Sequence, residues 1–547
     1  MNAFSSGGNL NPDPDGRLRR FRIINACLCG ILLGAAFPPM PAGITAFIAL
    51  VPLLFLIESV DSAGSLFRYA YLAFLVFNVA TVWWISGWWG DDPWLKTAGV
   101  AVNLVHPLLF IIPVFAYWVL RKRFGLRTGL VLLPFIWTAF EFAAHLPELS
   151  FPWLLLGNTQ TSDIIRIQFI RFTGVFGASF WIVTVNVLCF IAFRSLLRGR
   201  KKDRRRILAA GIGVFALFLA PEIDGVFQLR ESPTGSRLRV GIAQPDIDPY
   251  EKWAPGETPM GKLNGLLRLY DSIAAEAKPA LVLLPETAIP FYIRQPSFRA
   301  EWERLKGHVD SVGIPLLTGF PDIRWYEHDA PRSARATPDG YRYLSFNSSM
   351  LVLPADPTVQ IYHKSRLTPI SERIPYLDAF PFLQDALTWG VGISNWGLGN
   401  DTTVFTLEGP SHARLWAMIC YETLYPSFVA GFVRRGANML CVITNDGWFG
   451  HSSGPYQLKQ YAVLRAIENR RPVARCANNG ISCFIDAYGR VSHETAFGTR
   501  GWIAEDVCLR TDRTFYTEHG DWFALGCTII SLAVLIAALF GRRKASP

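Results

Sequence analysis

The sequence predicts a helical membrane domain of eight spans joined to an external α/β domain, and three observations support this. The chain of 547 residues is 51% hydrophobic and 14% aromatic, and its mean hydropathy is +0.24, which is too apolar for an ordinary soluble protein. Apolar runs near the ~20 residues needed to cross a bilayer recur at both ends of the chain. Between them, short β-branched runs alternate with helical patterns.

Eight apolar runs define the predicted spans. Seven precede residue 224 and one follows residue 520. They lie at roughly 23–40, 43–57, 69–87, 98–120, 128–147, 171–193, 207–223 and 522–541. The second run is short for a membrane span, whereas most of the others reach the required length.

Basic residues cluster at the ends of these runs and predict the orientation of the chain. Clusters precede the first run, follow the fourth, separate the sixth from the seventh ("RSLLRGRKKDRRR", 194–206) and close the chain ("GRRK", 541–544). The intervening short loops are poor in Lys and Arg, so the positive-inside rule makes both termini cytoplasmic. The net charge of +10 is therefore explained by membrane boundaries, and no nucleic-acid partner is expected.

These runs also set the predicted domain boundaries. The segment between the seventh and eighth spans lies on the side opposite the termini, which in a bacterial cell is the periplasmic face. The predicted parts are a cytoplasmic tail (1–22), a membrane domain of seven spans (23–223), an external domain (224–520), the eighth span (521–541) and a second cytoplasmic tail (542–547).

The external segment has the pattern of a layered α/β domain. Buried strands are predicted at 237–245, 280–286, 315–320, 347–353, 414–420 and 438–444. Apolar residues at helical spacing between 263 and 277, and the stretch "PYQLKQYAVLRAIEN" (455–469), predict helices. The stretch 324–345 has turn residues and no period, so it is predicted to be a surface loop.

Three polar residues stand at separate strand ends, where a hydrophobic core would not require them. Glu286 ends "ALVLLPE", Lys364 lies in "YHKSRLTPISERIPY", and Cys420 ends "LWAMIC". If the fold brings them together, Glu286 could take the thiol proton, Lys364 could stabilise an oxyanion, and Cys420 could act as the nucleophile. The nine cysteines include no CxxC pair and no His/Cys cluster at metal-ligand spacing, so no zinc site is expected.

Two other interpretations of these residues remain open from spacing alone. Glu286 and Lys364 could form an ordinary ion pair beside a buried, unreactive thiol. A Cys/His dyad could instead use His363, His412 or His451, although no motif places any of them. Along a strand, His363 would point away from its neighbour Lys364.

Four motifs in fixed order resemble a known group of enzymes. "LLPETAIP", "YHKSRLTPISERIP", "ICYETLYP" and "TNDGWFG" are similar to motifs of the carbon-nitrogen hydrolase (nitrilase) superfamily. With seven spans before them and one after, the chain resembles the apolipoprotein N-acyltransferase family. This resemblance implies a nitrilase-like α-β-β-α sandwich for the external domain.

The resemblance also implies roles for individual residues. It makes Glu286 the base, Lys364 the oxyanion stabiliser and Cys420 the nucleophile of a catalytic triad, with Glu372, Tyr421 and Glu422 as supporting residues. Trp448 and Trp253 match aromatic positions near the substrate entrance. The chain departs from the family pattern at Ser371, where glycine is usual, and lacks the arginine often found after "FEF" in the membrane domain.

The implied reaction is a two-step acyl transfer. An acyl chain of a phospholipid, typically phosphatidylethanolamine, passes to Cys420 as a thioester and then to the α-amine of the diacylglyceryl-cysteine of an apolipoprotein. The implied location is the bacterial inner membrane with the catalytic domain facing the periplasm, and neither a metal nor an organic cofactor is implied. Two alternatives are a membrane-tethered amidase or nitrilase that uses water as acceptor, and a receptor that binds without catalysis.

Overall fold

The protein consists of a helical N-terminal region, an α/β region with two sheets, and a final long helix. The computed structural model describes residues 14–87, 93–200, 203–232, 234–254, 256–380, 382 and 395–540. The predicted C-terminal tail and residues 1–13 of the predicted N-terminal tail lie outside the described residues.

The N-terminal region forms eight described α-helices. They are α1 (Pro14–Ala36), α2 (Ala46–Glu58), α3 (Ala63–Val82), α4 (Pro93–Val105), α5 (Pro107–Ala143), the short α6 (Ile170–Thr173), α7 (Val175–Arg198) and α8 (Asp203–Arg230). Helix α1 begins inside the predicted cytoplasmic tail, and α8 continues seven residues beyond the predicted end of the seventh span.

Five helical segments of the described chain are long and apolar enough to cross a membrane. They are Ala63–Ser86, Lys96–Ala143, Val175–Arg198, Asp203–Arg230 and Trp522–Phe540. The segment Gly43–Glu58, which carries the second predicted span, is apolar but shorter. The number of spans therefore stays a prediction, whereas the helical, apolar character of this region is confirmed.

Helix α5 contains a reversal that separates the fourth predicted span from the fifth. Gly125 has φ 84° and ψ 167°, a backbone conformation that interrupts the helix and that glycine adopts without the steric cost of a side chain. A Cβ on Gly129 would lie 3.3 Å from the Tyr117 ring, although residues twelve apart in a straight helix are ~18 Å apart. The two halves of α5 therefore lie side by side.

The α/β region contains thirteen described strands in two sheets. The strands are β1 (Arg237–Gln244), β2 (Leu281–Leu283), β3 (Leu316–Tyr326), β4 (Arg335–Ala336), β5 (Arg342–Val352), β6 (Val359–His363), β7 (Phe405–Leu407), β8 (Ala413–Ile419), β9 (Met439–Thr444), β10 (Val473–Ala477), β11 (Cys483–Ile485), β12 (Val491–Ser492) and β13 (Gly501–Cys508). The first sheet has the order β13-β1-β2-β3-β5-β4, with β6 paired to β5, and the second has the order β12-β11-β10-β9-β8-β7. Parallel pairs form the centre of both sheets, as expected for strands buried on both faces.

Helices cover the outer faces of the two sheets. The helices of this region are α9 (Pro259–Ala277), α10 (Arg299–Val312), α11 (Pro426–Arg434), α12 (Gly454–Asn469) and the short α13 (Phe515–His519), and the final helix α14 (Trp522–Phe540) packs instead on α5 of the N-terminal region. Leu266 of α9 and Leu305 of α10 share a core with Val282 of the first sheet. On the second sheet, the Phe432 ring of α11 stacks on Trp416 at 3.9 Å between centroids.

Between the sheets lies a second apolar layer, which completes an α-β-β-α sandwich. The Cys476 thiol of the second sheet contacts the carbonyl oxygens of Ala243 (3.3 Å) and Leu283 (3.6 Å) of the first, and Leu283 shares one buried cluster with Ile443 of the second. The predicted α/β sandwich is therefore confirmed. The stretch 324–345 is not wholly a loop, because β3 extends through Tyr326 and β5 begins at Arg342, where the two strands pair antiparallel beyond the predicted core.

One glutamine of the sandwich, Gln457, forms several hydrogen bonds with the helical N-terminal region. The Gln457 side chain of α12 donates hydrogen bonds to the carbonyl oxygens of Pro38 (3.0 Å) and Thr81 (3.1 Å). Its Oε1 accepts hydrogen bonds from the indole N–H groups of Trp84 (3.3 Å) and Trp153 (2.7 Å). All four hydrogen bonds are buried, so the position of α12 relative to the helical region is fixed by polar contacts as well as by packing.

Candidate active site

Glu286, Lys364 and Cys420 meet at the carboxyl ends of strands from both sheets. Glu286 lies in the loop after β2, Lys364 follows β6 directly, and Cys420 follows β8 directly. The Lys364 Nζ lies 3.2 Å from Glu286 Oε1, and the charges of both residues act on the Cys420 thiol. Thr444, the last residue of β9, lowers the pKa of this thiol. The convergence predicted from three separate motifs is therefore present in the fold.

Cys420 occupies a sharp turn between β8 and a short 3₁₀ helix (Cys420–Leu424). Its φ is 51°, in the left-handed region that residues with a side chain rarely adopt. Such a conformation costs about 1–3 kcal/mol and persists where the surrounding structure imposes it. A core-filling cysteine at the end of a strand has no need of this backbone conformation, so the turn favours a functional interpretation of Cys420.

Lys364 is a buried cation held between two carboxylates. Besides Glu286, its Nζ contacts Glu372 Oε2 at 2.8 Å. Burial lowers the pKa of Lys364, but the charges of Glu286 and Glu372 outweigh burial and raise the pKa above its ordinary value. Burial raises the pKa of Glu372, and the Lys364 charge reverses this and holds it below its ordinary value. The two carboxylates thus favour the charged form of Lys364 beside the thiol.

The surroundings of the Cys420 thiol favour its neutral form, because they raise its pKa above the ordinary value. Burial raises its pKa, the Glu286 charge raises it further, and Lys364 and Thr444 offset only part of the increase. Because the thiolate is the nucleophile, a base must remove the proton during the reaction. Glu286 is an ionisable carboxylate whose charge acts on this thiol, which fits it for that role.

Two asparagines that the sequence interpretation missed hold the carboxylates in place. The side-chain amide of Asn347 donates to Glu286 Oε1 at 2.7 Å and to Glu372 Oε1 at 2.9 Å. The backbone N–H of Asn445 donates to Glu286 Oε2 at 3.0 Å. The sequence contained one signal for Asn347, which is a polar residue in a predicted buried strand. The structure buries it within β5, where a polar side chain needs hydrogen-bond partners.

Lys252 is a third missed residue near the site. Its buried ammonium donates to the Glu286 carbonyl oxygen and to Thr287 Oγ1, both at 2.9 Å. Burial lowers the pKa of Lys252 to about 7, although the Glu286 charge raises it in part. Lys252 thus ties the 3₁₀ turn Glu251–Trp253 to the loop that carries the proposed base.

Glu422 joins the loop of the nucleophile to the loop of the lysine. Its Oε1 accepts hydrogen bonds from the Tyr362 hydroxyl and from the Ser365 backbone N–H at 2.8 Å. Its Oε2 accepts from the Ile419 backbone N–H at 2.8 Å. Burial raises the pKa of Glu422 to about 7, although these hydrogen bonds lower it in part. These contacts indicate a positioning role for Glu422.

We expect Glu422→Gln to lower the free energy of unfolding by about 1–3 kcal/mol. The amide nitrogen of glutamine would face backbone N–H donors that now point at a carboxylate oxygen. Thermal unfolding of the purified protein in detergent measures the change. Tyr362→Phe is the matched control, because it removes one donor and leaves Glu422 its backbone partners, so its loss should be smaller. Equal stability of Glu422→Gln and the unmodified protein would contradict this.

Tyr421 connects the nucleophile loop to the helical region. Its hydroxyl donates to the Ser150 carbonyl oxygen at 2.9 Å, and its ring lies 5.7 Å from that of Tyr425. The Tyr425 hydroxyl is hydrogen-bonded to the Ser150 hydroxyl at 2.7 Å. Ser150 lies in the segment that follows α5, so the turn at Cys420 is anchored to the helical region.

The two predicted substrate-contacting tryptophans lie on segments next to the proposed base. Trp448 belongs to the 3₁₀ turn Asp446–Phe449, immediately after Asn445, and its ring packs on Tyr250 at 5.2 Å. Trp253 is half-buried in the turn that Lys252 ties to the Glu286 loop. The adjacent Phe449 contacts the Trp84 ring of the helical region at 4.8 Å.

The histidines considered as alternative bases have other surroundings. His363 lies between the carboxylates of Asp401 and Asp322, to which its two ring nitrogens are hydrogen-bonded. The His451 ring packs on Phe497 at 4.7 Å. His412 lies in the turn before β8, with φ 48°. The partners and positions of these histidines give no sign of a contact with the Cys420 thiol, whereas Glu286 and Lys364 act on the pKa of that thiol, so the site does not favour the Cys/His dyad.

In the part of the chain that the structure describes, no group of three or more His, Cys, Asp or Glu side chains has the arrangement of a metal site. The expected independence from metals and organic cofactors stays a prediction.

Comparison with known proteins follows the two regions of the fold. Residues 29–188 match the family described as apolipoprotein N-acyltransferase N-terminal domain, and residues 239–512 match the carbon-nitrogen hydrolase family. The chain is similar to an apolipoprotein N-acyltransferase of Chlorobaculum tepidum, with 37% identity over 94% of this chain and 96% of the relative. It is also similar to relatives of the same name from Geobacter metallireducens (30% identity, 97% of this chain, 98% of the relative) and Thermotoga maritima (26% identity, 94% of each chain).

Proposed function

The chain belongs to the apolipoprotein N-acyltransferase family, and from this premise we propose how its own residues carry out the N-acylation of lipoproteins. The similarity covers the helical and the α/β regions together, and the relatives bear one name. This supports the transferase and does not support the hydrolase or receptor alternatives. The acceptor is a lipoprotein and the donor is a phospholipid of the membrane.

In the first half-reaction, Glu286 accepts the proton of the Cys420 thiol and the thiolate attacks the carbonyl carbon of a phospholipid ester. Lys364 stabilises the negative charge that develops on the carbonyl oxygen. The bond between the acyl carbon and the glycerol oxygen breaks, and Glu286 returns its proton to that oxygen. A lysophospholipid leaves, and the acyl chain remains on Cys420 as a thioester.

In the second half-reaction, the α-amine of the diacylglyceryl-cysteine attacks the thioester carbon. Glu286 accepts the amine proton, and Lys364 again stabilises the oxyanion. When the intermediate collapses, the bond to sulfur breaks, an amide forms, and the thiolate recovers its proton from Glu286. The two substrates thus react in turn at one thiol, which predicts ping-pong kinetics.

The supporting residues keep this machinery in position. Glu372 and Asn347 hold Lys364 and Glu286 at hydrogen-bonding distance, and Glu422 and Tyr421 fix the loops that carry the lysine and the cysteine. We assign Trp448 and Trp253 to the substrate entrance. The proposed donor is phosphatidylethanolamine, and the proposed location is the bacterial inner membrane.

One observation carries this proposal: a buried lysine shared by two carboxylates lies beside a cysteine in a left-handed turn. The test uses purified protein and phospholipid with a labelled acyl chain, without acceptor. We expect label on Cys420 that neutral hydroxylamine removes, and a diacylated lipopeptide with a free α-amine should discharge it. An N-blocked lipopeptide is the matched control and should not. Rapid release of free fatty acid without acceptor would contradict the transferase.

The orientation of the chain is a separate prediction. The basic clusters place residue 200 in the cytoplasm and residue 330, within the α/β region, on the opposite face. A reporter enzyme active only in the periplasm should be active when fused at 330 and inactive when fused after 200. A cytoplasmic fluorescent reporter should give the reverse pattern. The same compartment for both fusions would contradict the proposed arrangement of seven spans before the domain and one after.

A further inference from the structure

The segment that carries Trp253, here called the entrance segment (246–254), buries a lysine beside the proposed base. Lys252 is only 2% exposed. In the part of the chain that the structure describes, its ammonium forms no ion pair and donates instead to the Glu286 carbonyl oxygen and to Thr287 Oγ1, both at 2.9 Å. A lysine is rarely buried to this extent without a carboxylate partner, because the charge loses its hydration. The position of this ammonium therefore requires an explanation.

The loop that Lys252 contacts is held closely on its other side by strand β3. The Gly319 backbone N–H of β3 donates to the Pro285 carbonyl oxygen at 3.2 Å. A Cβ on Gly319 would lie 2.4 Å from the Thr287 nitrogen and 2.8 Å from the Glu286 Cα, so the loop and the strand are in direct contact. Thr287 has φ 45°, a conformation that residues with a side chain adopt only where their surroundings impose it. Lys252 and β3 are two of the contacts that impose it.

The entrance segment also reaches the carboxylate end of Glu286. The Asn478 side chain accepts a hydrogen bond from the Ile247 backbone N–H at 3.2 Å and donates one to Asn445 Oδ1 at 3.0 Å. The backbone N–H of Asn445 in turn donates to Glu286 Oε2 at 3.0 Å. The entrance segment is thus connected to the main chain of Glu286 through Lys252 and to its carboxylate through two asparagines.

The charges of Lys252 and Glu286 act on each other. Burial lowers the pKa of Lys252 to about 7, and the Glu286 charge offsets part of this decrease. Because the attraction is mutual, the charged lysine favours the ionised form of Glu286, which is the form that can accept the thiol proton. The other titratable groups of the site are Lys364, Glu372 and Cys420. Lys252 thus adds a second positive charge to the surroundings of the base.

We propose that Lys252 is a positioning residue of the acyl-transfer reaction, which fixes Glu286 relative to the Cys420 thiol and couples it to the entrance segment. This rests on the proposed function, in which Glu286 is the base. Lys252 does not touch the reacting atoms and acts through the main chain from which Glu286 extends. Because Trp253 is the next residue along the chain, a phospholipid that contacts Trp253 acts on the same segment that holds the base.

The test is the rate at which Cys420 is acylated by a labelled phospholipid in a single turnover, measured for Lys252→Met over a range of donor concentrations. Methionine keeps the length of the side chain and removes the ammonium. We expect the maximal rate at saturating donor to fall about tenfold or more, because a misplaced base slows proton transfer. The donor concentration that gives half of the maximal rate should change little.

Lys262→Met is the matched control. The Lys262 ammonium holds the same turn through the carbonyl oxygens of Lys252 (2.8 Å) and Ala254 (3.3 Å). This variant should leave the maximal rate unchanged and raise at most the half-saturating donor concentration. Melting temperatures in detergent confirm that both variants are folded. If Lys252→Met does not fold, Thr287→Val removes one of the two acceptors and should lower the maximal rate severalfold.

The dependence of the acylation rate on pH is a readout that a purely structural role would not move. Lys252→Met removes a positive charge that favours the ionised base, so more alkaline conditions are needed to keep the base ionised. The acidic limb of the rate profile should therefore move to higher pH by about half a unit or more. In Lys262→Met the acidic limb should stay where it is in the unmodified protein.

Three outcomes would overturn the role of Lys252: an unchanged maximal rate in Lys252→Met, an equal loss in Lys252→Met and Lys262→Met, or an acidic limb that does not move. In the case of Thr287→Val, a normal maximal rate would overturn it. Failure of the unmodified protein to acquire any label on Cys420 is a different result, because it contradicts the proposed function itself.

Discussion

Cys420→Ala is expected to abolish both acyl loading and lipopeptide acylation, with a loss of roughly 1,000-fold or more, because no other group replaces the nucleophile. Transfer of a labelled acyl chain from phospholipid to a diacylated lipopeptide measures the loss. Cys508→Ala is the matched control, since Cys508 is half-buried at the end of β13 and takes no part in the proposed site. Normal activity in Cys420→Ala would exclude the triad.

The backbone at this position allows a sharper version of the same experiment. Because Cys420 has φ 51°, Cys420→Gly should be more stable than Cys420→Ala by about 1 kcal/mol, although both are inactive. Melting temperatures in detergent compare the two variants. A glycine variant that is clearly less stable than the alanine variant would show that packing of the side chain, and not the turn, dominates at this position.

Lys364→Met is expected to have the second largest effect, lowering the rate of acylation of Cys420 by at least about 100-fold. The substitution removes the cation that we propose as the oxyanion stabiliser, and it leaves Glu286 and Glu372 buried without their shared partner. Breaking a buried pair in this way costs about 3–5 kcal/mol. Single-turnover labelling of Cys420 and thermal unfolding measure the two effects separately.

A double variant distinguishes catalysis from stability. Lys364→Met with Glu372→Gln removes one unpaired carboxylate, so it should recover part of the lost stability while acylation stays slow. Recovery of acylation together with stability would show that Lys364 acts only as part of a structural ion pair, which is the alternative left open by the sequence.

The stability change should also depend on pH. The Lys364 charge holds the pKa of Glu372 below its ordinary value, so in the unmodified protein this carboxylate contributes stability above the unfolded pKa of about 4.3. That contribution is lost as the pH falls through the lower, folded pKa. The difference in stability between the unmodified protein and Lys364→Met should therefore be largest near neutral pH and shrink under acidic conditions.

Periodicity and strand-end residues predicted much of this architecture. Helix α12 begins within one residue of the predicted stretch, and β9 lies within the predicted strand. Both segments have a strong sequence pattern: α12 has apolar residues at helical spacing, and β9 is a short continuous apolar run. The strands β3 and β5 extend beyond their predicted ends because they pair with each other, and pairing between distant segments leaves little trace in local sequence.

The candidate site divides in the same way. Glu286, Lys364 and Cys420 lie in recognisable motifs. The left-handed turn at Cys420 could not be predicted, because the residue with positive φ is the cysteine itself and not a glycine. Asn347 was missed because its partners, Glu286 and Glu372, come from two other loops. Gln457 was missed because a glutamine in an amphipathic helix is ordinarily a solvent-facing residue, whereas here the helical region covers it.

The hydrogen bonds of Gln457 have a consequence for which ester bond the protein can reach. Because Gln457 fixes α12 to the helical region, and Tyr421 fixes the Cys420 turn to Ser150, the sulfur stands at one height relative to the bilayer. We therefore expect the sandwich not to tilt to meet a substrate. In the proposed reaction, a phospholipid would diffuse laterally and present whichever ester lies at that height. The choice between the two glycerol esters would thus depend on depth in the membrane. The ester that reacts would be the one at the same depth as the Cys420 sulfur.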